Sequence, residues 1–186
     1  MIPGLGSSGP EHWQTRWERE RADCRRAELG DWNDPAPDRW LGAIDRSVRE
    51  LADAPILIAH SLGCIAVAEW ASAAGARQTR VVAALLVAPP DVERDDADPR
   101  LRRFAPVHRR PMPFPTVLVA SRDDPYATFA RSQEMAAGWA ARFHDAGAAG
   151  HLNAASGLGS WDEGQRLLAD LVRDASGRRR CPAGPA

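Results

Sequence analysis

The chain is expected to fold as an α/β domain: a mainly parallel sheet with helices on both faces. Three observations predict this. Continuous apolar runs of strand length recur at residues 55–59, 81–88 and 115–120, as expected for strands covered on both faces. Segments with helical apolar spacing stand between them, an alternation that leads to a parallel sheet. The chain has 186 residues, 44% of them hydrophobic, enough for one domain with a sizeable core.

Residues 1–10 read as a loop rich in Gly, Ser and Pro. A helix starts near Glu11. Almost nothing precedes the loop, so the sheet is expected to lack its first strand. Residues 22–33 have room for a short strand, and 30–35 form a loop. Trp40, Leu41, Ile44, Val48 and Leu51 space a helix over 38–53. The strand at 55–59 then turns sharply into a helix reaching about residue 75. Pro89-Pro90 stops the next strand. Residues 89–115 are polar and rich in Pro and Arg, and predict loop with at most one short helix, too little for a folded lid. After the strand at 115–120, a helix covers about 127–141, with Phe129, Met135 and Trp139 on its apolar side. A short strand falls near 141–144, and the last helix covers about 162–173. The tail, 174–186, is rich in Gly, Pro and Arg and is expected to be disordered. One domain over 1–173 follows.

Composition excludes several function classes. All 24 basic residues are Arg, and the net charge is −1. No global field favours nucleic acid, and Arg178, Arg179 and Arg180 read as a solvated tail. Cys24, Cys64 and Cys181 form no CxxC pair and no His/Cys cluster. That pattern predicts a reducing, cytoplasmic setting, with no disulfide framework and no metal. No apolar run approaches the roughly 20 residues that span a bilayer, and no signal-peptide pattern opens the chain. The glycines of the first loop do not fit a phosphate loop, since no Gly-Lys-Ser/Thr follows.

The informative stretch is Ala59-His60-Ser61-Leu62-Gly63. Small-x-Ser-x-Gly between a strand and a helix is the pattern of a nucleophile elbow; the plainer alternative is a serine N-cap. A serine hydroxyl needs a base, and the base needs an acid to orient it. Ser61, then Asp123 or Asp124, then His151 each follow a predicted strand, where the sites of α/β sheets lie. His60 sits beside Ser61 but must point the other way, and His108 and His144 read as surface or strand residues. Asp123 and Asp124 compete for the acid; Pro125 stiffens the turn behind Asp124, and the preference for it rests partly on the resemblance given below. Backbone N–H groups of Leu62 and of Leu5, between Gly4 and Gly6, would form an oxyanion hole. His12, Trp13 and Trp161 are candidates for the substrate pocket. Cys64 and the remaining tryptophans read as core.

These pieces resemble a known family, the small lidless α/β-hydrolases called YdeN-like or retinoblastoma-binding-protein-9-like serine hydrolases. The resemblance rests on residues 3–14, Asp31-Trp32, Ala59 to Cys64, Ser121 to Tyr126, Gly150 to Ala154 and Ser156 to Trp161. It implies Ser61 as nucleophile, Asp124 as acid and His151 as base, in a sheet without a lid. The expected activity is hydrolysis of esters, thioesters or activated amides through an acyl-enzyme, on a small acyl substrate and without metal or organic cofactor. The alternative is a binding protein of little turnover on the same scaffold.

Overall fold

The structure is a computed structural model that describes residues 1–73 and 80–180, the last three as helix backbone. Four parallel strands lie in the order β1-β2-β3-β4: β1 (Ile56–His60), β2 (Ala83–Val87), β3 (Thr116–Ala120) and β4 (Arg142–Asp145). β1 pairs in register from Ile56↔Ala83 to His60↔Val87, and β2 pairs with β3 from Ala84↔Thr116 to Val87↔Val119. β4 joins through Val117↔Arg142 to Ala120↔Asp145. Helices α1 (Trp13–Glu20) and α2 (Pro37–Glu50) precede β1. Helices α3 (Leu62–Ser72), α4 (Pro99–Arg102) and α5 (Phe129–Gly138) connect the strands in turn, and α6 (Asp162–Arg180) follows β4.

Side chains alternate across the sheet with period 2. Leu57, Ala59, Ala84, Leu86, Leu118 and Ala120 face one core with α2, α3 and α5. Ile58, Leu85, Val87, Val117 and Val119 face the other with α1 and α6. Every residue of β2 and β3 is buried, which is why these strands carry no polar alternation. α2 shows the core a stripe of Trp40, Ala43, Ile44 and Val48. α3 is buried nearly all round, packed against β1 and α2 in the same core.

Three expectations need correcting. Residues 22–33 form no strand; Asp31 instead caps a turn by accepting from the N–H groups of Asn33 and Asp34. The first strand, expected to be missing, is represented by one parallel bridge, Ile2↔Ala59. There Ile2 donates to the Ile58 carbonyl, His60 donates back to Ile2, and Ala27 donates to Met1. α3 ends at Ser72, and the part of its expected range beyond Ala73 lies outside the described residues. The chain after 173 is not disordered up to Arg180, because α6 continues. Ala175 extends its buried stripe of Leu168 and Leu171, at helical spacing that the polar composition hid. Residues 181–186 lie outside the described residues.

Candidate active site

Ser61 stands between β1 and α3 with φ 54° and ψ −128°, a conformation that costs a non-glycine residue about 1–3 kcal/mol. Its surroundings impose it. The Ser61 N–H donates to the Val87 carbonyl at 2.9 Å, and the Ser61 carbonyl accepts from Cys64 N–H at 2.9 Å. The N-terminal segment then crosses directly above the turn. A Cβ at Gly63 would lie 2.3 Å from the Ile2 carbonyl oxygen and 2.6 Å from that of Pro3. Glycine is required there by this close approach. Ala59, fully buried, fits without strain in the first small position.

His151 lies on the loop after β4, held from both sides. Gly150 N–H donates to Asp123 Oδ1 at 2.8 Å and Ala149 N–H to Ser121 Oγ at 2.8 Å. Trp13 Nε1–H donates to the Leu152 carbonyl at 2.8 Å. The His151 ring thereby meets both partners. Nδ1 lies 3.0 and 2.9 Å from the two oxygens of Asp124, and Nε2 lies 2.9 Å from Ser61 Oγ. An ionised carboxylate only accepts, so Nδ1 carries the proton and Nε2 presents its lone pair to the serine hydroxyl. Asp124 is nearly enclosed and also accepts from Tyr126 N–H at 2.9 Å. Asp123 is turned away from the ring: Ser121 Oγ–H donates to it at 2.6 Å, and this bond foremost holds its carboxyl below the usual range.

The loop over residues 4–6 comes down onto the same point. A Cβ at Gly4 would lie 2.8 Å from Ser61 Cβ and 3.1 Å from Leu62 N. Arg26 anchors the next turn by donating to Ser7 Oγ, the Ser8 carbonyl and the Glu18 carboxylate. Among the described residues, the N–H groups of Leu5 and Leu62 engage no hydrogen-bond acceptor.

The serine hydrolase family profile matches residues 1–170. The chain belongs to the serine hydrolase family. Among solved structures it is similar to a YdeN-like hydrolase from Pectobacterium atrosepticum, 34% identical, with a TM-score of 0.82 over 94% of this chain and 89% of that one. The ydeN gene product of B. subtilis is 19% identical, with a TM-score of 0.70 over 91% and 95% of the two chains. A monoacylglycerol lipase of Paleococcus ferrophilus shares the fold at 13% identity and a TM-score of 0.62, over 92% of each chain. No curated protein matches the chain.

The hydrolase gives His108, His144 and His12 other partners. His108 pairs with Glu69 and His144 with Glu163 at the surface. His12 N-caps α1 through Nδ1 and is buried, as are Trp13 and Trp161. The two tryptophans were candidate pocket residues, but they pack with Trp17 in the core between α1 and α6. Burial pushes His12 down to about 4. Burial also pushes the Cys64 thiol up, and its Sγ–H donates to the Val87 carbonyl, which leaves it inert. One neighbour was not singled out as a site residue from the sequence. Tyr126, 48% exposed, sets its ring 4.4 Å from that of His151, edge to face. Among the described residues, no group of three His, Cys, Asp or Glu could hold a metal ion, and no helix is long and apolar enough to cross a membrane.

Proposed function

We propose that the protein hydrolyses esters, thioesters or activated amides of small acyl groups with Ser61 as nucleophile, His151 as base and Asp124 as acid. The observation that carries the reading is the unbroken relay from Ser61 Oγ through His151 to Asp124, each step about 3 Å. Ser61 Oγ attacks the carbonyl carbon while its proton passes to His151 Nε2. The imidazolium so formed is stabilised by the buried Asp124 carboxylate. The developing oxyanion accepts from the free N–H groups of Leu62 and Leu5, the first of them at the N-terminus of α3. His151 returns the proton to the leaving group, whose bond to the carbonyl carbon breaks and leaves the acyl group on Ser61. Water, deprotonated by the same Nε2, then releases the acid and restores the serine.

The stretch between β2 and β3 contains only the four-residue α4, so an open site and short acyl groups are expected. The test is fluorophosphonate labelling of the wild type beside Ser61→Ala, with hydrolysis of p-nitrophenyl acetate and butyrate in parallel. The expected result is labelling and turnover that both vanish in Ser61→Ala. A folded wild type that neither labels nor hydrolyses would overturn the reading and leave a binding protein on this scaffold.

A further inference from the structure

His60 is adjacent to Ser61 in the chain, but as the last residue of β1 it points to the side of the sheet that Ile58 faces. There it is buried against His12, at 4.6 Å between ring centres, and against His151, at 4.9 Å. Its Nε2 lies 2.9 Å from the backbone carbonyl oxygen of His151. A carbonyl only accepts, so Nε2 carries the proton and donates. The dipeptide that supplies the nucleophile thus also holds the backbone of its partner. The path Ser61, His60, His151 carbonyl, His151 ring and back to Ser61 Oγ closes through only two hydrogen bonds.

We propose that His60 is a positioning residue: its bond to the His151 carbonyl fixes where the His151 ring stands against Ser61. The inference rests on His151 being the base of the proposed reaction. Other bonds hold the loop at Ala149, Gly150 and Leu152, whereas the carbonyl of residue 151 is held by His60. Loss of this bond leaves the loop tied on both sides and frees the one residue whose orientation matters. Misplacing a reacting group by about 1 Å costs on the order of 100-fold in rate. Charge is consistent with the assignment. Burial foremost, with His151 and His12 adding to it, drives the His60 pKa well below its ordinary value. The strut therefore places no cation beside an imidazole that must itself become positive.

The test compares His60→Gln with His60→Met in the full chain. The two side chains match in length and flexibility and differ in the amide donor. Turnover of p-nitrophenyl butyrate, fluorophosphonate labelling rate and thermal midpoint are read for both beside wild type and Ser61→Ala. The expected result is kcat lowered about 10–100-fold in His60→Met with KM unchanged, and recovered to within about fivefold in His60→Gln. Equal kcat in the two folded variants would overturn the inference while wild-type labelling still upheld the hydrolase reading. So would a Met variant that fails to fold, since the bond would then hold the fold rather than the base. A wild type without Ser61-dependent labelling removes the hydrolase reading and this inference with it.

Discussion

Gly4→Ala adds a single methyl group to the chain and aims it at the nucleophile. The new carbon would lie 2.8 Å from Ser61 Cβ and 3.1 Å from both Leu62 N and Ser61 Oγ. Carbon atoms in contact rest at about 3.5–4.0 Å, so the loop over 4–6 must retreat by at least about 0.7 Å. That retreat carries the Leu5 N–H away from the position of the oxyanion. Loss of one such donor costs about 100–1,000-fold in kcat, and the overpacking itself costs about 1–3 kcal/mol of stability. Gly6→Ala is the control. Gly6 has φ 75° and nothing within 4 Å of an added Cβ, so the substitution costs about 1–2 kcal/mol of backbone strain but touches nothing at the serine. Turnover of p-nitrophenyl butyrate and urea midpoints separate the two effects. Gly4→Ala should lose most of its kcat, and Gly6→Ala should lose stability alone. Wild-type kcat in Gly4→Ala, or equal losses of kcat in both, would refute the argument that this loop builds the oxyanion site.

Three further outcomes follow from the same geometry. Asp124→Asn should lower kcat about 10³–10⁴-fold with little change in stability, whereas Asp123→Asn keeps an acceptor for Gly150 and should lose far less; the opposite order would reassign the acid. Gly63→Ala should prevent folding or destabilise by more than about 3 kcal/mol, because the added carbon collides with two backbone carbonyls; a urea midpoint near wild type would contradict the close approach. Acid should destabilise the fold. His12 is held neutral, its pKa lowered from 6.5 to about 4 chiefly by burial. The unfolded chain therefore takes up a proton between those values that the folded chain refuses, and stability falls as pH drops from about 6.5 to about 4, by at most about 3 kcal/mol for this group. His12→Asn keeps a capping acceptor for Gln14 but cannot titrate, so its urea midpoint should fall less across that window; an identical fall would discount His12.

The layers of this fold were legible because a strand covered on both faces is built almost wholly of apolar residues. The runs ending at Ala59, Ala88 and Ala120 announced β1, β2 and β3, each to within a few residues. What escaped was structure whose cause is non-local. The polar composition of 174–180 concealed helix, because among residues 174–177 Ala175 alone is buried to continue the stripe of α6. The stretch 22–33 suggested a strand, but what lies beside it is Met1, reached by the Ala27 N–H, and not a full partner strand. Trp13 and Trp161 flank site loops in the sequence, yet large rings remote in the chain found each other in the core instead.

The site divides along the same line. The elbow motif is local, so Ser61 could be read from five residues, and the order Ser, Asp, His pointed to a base on the loop after β4. The sequence placed Asp123 and Asp124 at one turn, and Pro125 together with the family resemblance favoured the second. In space the two carboxylates point apart, and both are used: Asp124 faces the His151 ring, while Asp123 holds the backbone of the preceding residue. The reason for Gly63 was legible only in part. A tight turn was expected to exclude a side chain, but the obstacle is the crossing of Ile2 and Pro3 above it. His60 carries the same lesson further. Beside Ser61 it was expected only to point the other way, as a residue next to the nucleophile must. The side it points to is the one on which the His151 backbone lies, so the last residue of β1 and the turn that follows it bring two neighbouring residues to opposite ends of one histidine.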